Sequence, residues 1–210
     1  GRLMFNDSGG MECAVRRYLR REIAGEQYRE YVRSATEFER QLRDGGYLLL
    51  KIFLPDVILG LKGLDDYDDI YAEAVHAFAH ASHFRQAGMD YWDHYVRFLV
   101  KSFVTSGFTV YGTGSEEDHG YCEVGEMWAH FFQTVLYRER YGDKDVPQFG
   151  YSQWFRPQIL LQLEEEGLDA NRVFQVLGSD VTDREMFRKK LTSYYPEYKA
   201  AIQEAFARYN

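Results

Sequence analysis

Apolar positions recur every three or four residues along much of this chain and alternate in only one short run. That pattern predicts a mostly helical α+β protein with a minor sheet. In "EQYREYVRSATEFERQLR" (26–43), Tyr28, Val32, Phe38 and Leu42 share a helical face, and Gly45–Gly46 ends the segment. "YLLLKIFLP" (47–55) is short, apolar and partly alternating, so it predicts a buried strand over 47–54 that Pro55 stops. A loop follows, with Asp65, Asp66, Asp68 and Asp69 suited to the positive end of a helix dipole. Helices are then expected over 69–84, closing before Gly88, and over 90–105. The stretch 106–120 reads as loop, with one short strand at 108–112. The strongest helical pattern is 121–142, preceded by acids 116–118. Beyond Pro147, three or four helices are expected within 151–167, 169–178, 181–195 and 196–209. Thr182 and Glu185 have the spacing of a capping box.

No repeat or low-complexity linker divides the chain, so one domain over 1–210 is the economical reading. Within it, 1–23 is an N-terminal segment of uncertain character, 24–142 the central part and 143–210 a helical C-terminal part. Arg16, Arg17, Arg20 and Arg21 form a solvated basic stripe in the first of these. Hydrophobic residues make up 45% and charged residues 28%, enough apolar content for a sizeable core. The net charge of −8 disfavours a nucleic-acid partner held through phosphates. Aromatic residues reach 17%, which thickens cores and also lines clefts for peptides or sugars. No apolar run approaches the roughly 20 residues that cross a bilayer, so no transmembrane segment is expected. The two cysteines, Cys13 and Cys122, permit one disulfide but no cysteine-based zinc site, and leave the compartment open. The start at Gly1 reads as a fragment from which any export signal would have been cut away.

Candidate chemistry is concentrated in "AVHAFAHASHF" (74–84). His76, His80 and His83 follow at spacings of four and three, which puts all three near one helical face. A pair four residues apart can hold one Zn²⁺, because the side chains project one turn apart from the same side. By spacing alone this is either a metal helix or a core helix rich in histidine. A third donor changes the balance: "CEVGEMWA" supplies Glu123 and Glu126, and two histidines with a glutamate form a known catalytic zinc set. His83 lies about 10 Å along the helix from His76, too far to share one ion with it. It reads as a residue supporting the ligands or lining a cleft, or as a packed side chain. His94, His119 and His130 carry no motif of their own.

"VHAFAHASHF" resembles the "HE(F/L)AHASH" helix of bacterial zinc-metallopeptidase-like proteins of the gluzincin group. "FLPDVILGL", the "YW" at 91–92, and "GEMWA" with its downstream "RYG" are similar to the same group, so that the likeness covers about 45–142. It implies a zincin-like domain with a small sheet beside the histidine helix. It also implies a peptide or protein substrate, and a secreted or cell-envelope location for the full-length protein. "EMWA" (126–129) has the form of the glutamate-ligand motif "EGFA". The implied Zn²⁺ ligands are thus His76, His80 and Glu126, with Glu123 one turn earlier as a supporting group or reserve ligand. The departure is Ala77, where the family carries its general base. A methyl group takes no proton from zinc-bound water, and such groups contribute about 10²- to 10⁴-fold in rate. Either the residue was changed deliberately, the preferred reading since the rest of the motif is undamaged, or the chain is a natural pseudo-enzyme. The expectation is a zinc metallopeptidase in a form inactive at position 77; the alternative is a zinc-containing pseudo-peptidase that binds peptides or glycans. A glutamate at position 77 is expected to create or restore hydrolysis.

Overall fold

In the computed structural model the described residues are 3–6, 57–60, 67–105, 111–143 and 146–209. The helix expected over 26–43, the strand over 47–54, the arginine stripe, Cys13, and Asp65 and Asp66 lie outside them, as does most of the strand expected at 108–112. The described part is mostly helical. Two short strands, β1 (Leu3–Asn6) and β2 (Val57–Gly60), pair in parallel with Leu3 opposite Val57 and Asn6 opposite Gly60. The chain groups into two compact units: residues 1–70 with 96–117, and residues 71–95 with 118–210. The strands belong to the first, whereas all three motif histidines belong to the second.

Helix α1 (Tyr67–Ala87) buries Ala72, Val75, Ala79, His83 and Ala87, a stripe at helical spacing whose small side chains permit close packing. It closes where Gly88 N–H donates to Phe84 O at 2.9 Å, and α2 (Met89–Thr105) begins at once. Helix α3 (His119–Tyr141) is the centre of the second unit: every residue from Cys122 to Ala129 is buried. A helix enclosed on all sides needs neighbours all round. Trp128 Nε1 donates to Ala79 O at 3.2 Å, tying α3 to α1 through a backbone carbonyl in the first helix.

The C-terminal part adds α4 (Gln158–Glu165), α5 (Ala170–Val176), α6 (Arg184–Tyr194), a 3₁₀ turn (Pro196–Tyr198) and α7 (Lys199–Arg208). Ile159, Leu160, Leu163, Leu191, Ile202 and Phe206 pack with Val124, Met127 and Phe131 of α3 in one core. Burying such a side chain is worth about 1.5–3 kcal/mol, so this core fixes α3 as a rigid support.

Three local expectations need correction. Helix α4 begins at Gln158 and not near Tyr151, because Arg156 is left-handed (φ 54°) and Pro157 occupies the N-cap. Asp183, not Thr182, caps α6: its carboxylate accepts from Met186 N at 2.7 Å, a charge-assisted bond at the positive helix end. Glu116 does not serve the start of α3. Its carboxylate turns back onto the loop, accepting from Thr113 N at 2.8 Å and Ser115 N at 3.0 Å.

Candidate metal centre

One face of α1 and one face of α3 meet in the second unit, and each brings two donors one turn apart. From α1 come His76 and His80; from α3 come Glu126 and His130. Donor atoms of His76, His80 and Glu126 all lie within 4.8 Å of one another. His76 Nε2 and His80 Nε2 are 3.0 Å apart, and they stand 3.5 and 3.4 Å from Glu126 Oε2 and Oε1 respectively. Ligands at about 2.0–2.1 Å from a tetrahedral ion are about 3.4 Å from each other. The spacings therefore fit a zinc-sized ion without rearrangement of the helices.

Glu126 is 1% exposed, and its two oxygens differ. Oε1 accepts a short hydrogen bond from Tyr95 OH of α2, while Oε2 has no hydrogen-bond partner. A buried carboxylate oxygen without a partner costs free energy unless a cation or a donor lies beside it. Gly125 makes the tyrosine's approach possible. A Cβ there would fall 3.0 Å from Tyr95 Cε2.

Burial pushes the Glu126 carboxyl upward, but the imidazoles of His80 and His76 outweigh it and hold the group well below the usual range. Burial lowers His76 as well, yet the Glu126 carboxylate 3.5 Å away outweighs it, so this histidine is raised. His80 goes the other way, because burial exceeds what Glu126 returns. Burial takes His130 down to about 4, partly opposed by Glu126. His80 and His130 are thus neutral at pH 7, the form in which imidazole binds metals.

The other expected residues stand apart from this group. Glu123 pairs with Arg184, Oε1 to Nε 3.1 Å, so its carboxylate is committed to an ion pair one turn away. His83 is fully buried, its ring 4.8 Å from Tyr91 and 5.7 Å from Trp92, and neither nitrogen has a hydrogen-bond partner. Ala77 is half-buried on α1. Sequence reasoning passed over His130, whose Nε2 lies 3.5 Å from Glu126 Oε2, and Gln133, whose Oε1 lies 3.3 Å from His76 Nδ1 and 3.1 Å from His130 Nδ1. The signal existed: Glu126 and His130 repeat on α3 the four-residue spacing of His76 and His80 on α1. His94 and His119 stay outside, His94 stacking on Tyr121 at 4.6 Å and His119 meeting Trp154 at 5.9 Å.

Compared with known proteins, the chain matches no family model, no curated protein and no solved structure. Among the described residues, no helix is long and apolar enough to cross a membrane.

Proposed function

We propose that this chain holds one zinc ion in a centre of the metallopeptidase type and, with alanine at position 77, does not complete hydrolysis. The observation that carries this reading is the convergence of the donor atoms of half-buried His76 and His80 and buried Glu126 within 4.8 Å of one another. Zinc bound by two histidines and a glutamate supplies Lewis acidity and a water of lowered pKa. The chain's own residues do the rest of what can be read. Glu126 neutralises part of the ion's charge, Tyr95 fixes the carboxylate's orientation, and Gln133 turns the His76 ring so that Nε2 faces inward. No carboxylate occupies position 77 to take a proton from the water. A zincin-like fold, a peptide or protein partner and an extracytoplasmic setting belong to the same proposal, supported by the motif resemblance.

The test is metal analysis and competitive zinc titration of the full chain beside His76→Ala and Glu126→Ala. One zinc per chain, lost or weakened at least about tenfold in each variant, is the expected result. Equal zinc uptake by all three proteins would refute the centre.

A further inference from the structure

We propose that His130 is a further ligand of this centre, so that three imidazoles and one carboxylate hold the ion, with Gln133 presenting two of the rings. The inference rests on the metal reading above and extends it.

Gln133 is 2% exposed, and its Oε1 lies 3.3 Å from His76 Nδ1 and 3.1 Å from His130 Nδ1. A carbonyl oxygen only accepts, with two lone pairs, so both rings carry their proton on Nδ1. The neutral His130 ring then has a bare Nε2, 3.5 Å from Glu126 Oε2, an oxygen with no hydrogen-bond partner; His76 Nε2 is also 3.5 Å from that oxygen. His80 Nε2, 3.0 Å from His76 Nε2, can share a hydrogen with that ring. Nothing comparable serves the other pair. His130 Nε2 and Glu126 Oε2 face each other as two acceptors, the oxygen buried and the ring half-buried, an arrangement that a cation between them would relieve. Their 3.5 Å separation is also close to the ligand–ligand edge of about 3.4 Å in a tetrahedral zinc site.

The surroundings are shaped for this ring. It lies 4.6 Å from the His76 ring and stacks on Phe155 at 6.0 Å with 17° between the planes. The loop before α4 crosses it at Gly150, where a Cβ would fall 2.5 Å from His130 Cδ2. Any larger residue there would displace the imidazole. His130 Nε2 stands outside the tight group formed by His76, His80 and Glu126, so its coordination requires the ring to move toward the ion.

The experiment loads the full chain, labelled with ¹⁵N at histidine, with ¹¹³Cd²⁺ and reads one-bond couplings to the ring nitrogens. Couplings to Nε2 of His76, His80 and His130 are expected. Couplings to His76 and His80 with none to His130 would overturn this proposal and leave the three-ligand centre standing. Absence of coupling to all three would overturn the metal reading itself. In parallel, His130→Ala should weaken zinc at least about tenfold and change the Co²⁺ absorption spectrum, with free imidazole restoring the original bands. An unchanged zinc affinity and cobalt spectrum in a folded His130→Ala protein would also overturn it.

Discussion

His83 provides a measurable link between burial and pH. Its ring is fully buried, neither nitrogen has a hydrogen-bond partner, and burial with the neighbouring His80 lowers its pKa from 6.5 to about 3. The folded value is depressed, so stability is fully present above the unfolded value of 6.5. It is lost as pH falls toward the folded value. Take metal-free protein in chelator at pH 7.5 and pH 5. At pH 5 an unfolded His83 has bound nearly a whole proton and the folded one almost none. About 1.5 pH units below the ordinary value, at about 1.4 kcal/mol per unit, gives about 2 kcal/mol lost through this residue. The figure changes little if the folded value is one unit higher, because pH 5 still lies above it.

Other groups titrate over the same range, so the assay is a difference of differences. Urea unfolding of the parent and of His83→Leu at both pH values isolates the one ring. The variant should retain about 2 kcal/mol more of its pH 7.5 stability at pH 5 than the parent does. At pH 7.5 the cost of leucine should be small, since the replaced nitrogens made no hydrogen bonds and the new side chain is apolar. Parallel losses in the two proteins would refute the assignment of a neutral, unsatisfied ring to the folded state.

Two further outcomes follow from the same geometry. Gly125→Ala gains about 1 kcal/mol of helix propensity but presses a Cβ to 3.0 Å from Tyr95, an overpacking cost of about 1–3 kcal/mol; net stability should stay level or fall, with weakened zinc binding by competition titration, and a clean gain with unchanged affinity would be inconsistent with Tyr95 positioning Glu126. The motif alone led to the expectation that Ala77→Glu would hydrolyse peptides; with His130 closing the shell as proposed, Ala77→Glu alone should bind zinc as the parent does and leave a mixed peptide library intact, whereas Ala77→Glu with His130→Ala should cleave it in a chelator-sensitive way. Cleavage by the single variant would contradict closure by His130, and silence of both zinc-loaded proteins would refute the metallopeptidase reading.

The helices were legible where periodicity was undisturbed. Both ends of α3 and the start of α2 fall within two residues of the expected limits, and Gly88 closes α1 after Ala87. Legibility failed where two residues compete for one local role. Thr182 and Asp183 are both good caps, and the carboxylate wins because it carries charge to the helix dipole. Near Tyr151 the aromatic spacing suggests a helix, but the left-handed Arg156 and Pro157 postpone it. At the centre, a motif could be scanned along α1 because its donors stand beside each other in the chain. Gln133 has no such mark: its role exists only once α1 and α3 pack and both Nδ1 atoms reach one oxygen.

In the proposed centre, Ala77 and His130 would bear on hydrolysis through separate steps. On the metallopeptidase proposal, alanine at position 77 lacks the proton acceptor while leaving helix propensity and the coordinating faces untouched. His130, as proposed, fills the position that a catalytic zinc keeps open for water. Either feature alone would slow a peptidase; together they would leave a bound ion surrounded by protein donors on α1 and α3, the latter held by the core. Introducing a glutamate without opening the shell would give a base with no water to act on. Opening the shell without the glutamate gives a polarised water with no residue at position 77 to take its proton. Only the double variant supplies both, which is why its comparison with the two single variants separates the missing base from the added ligand.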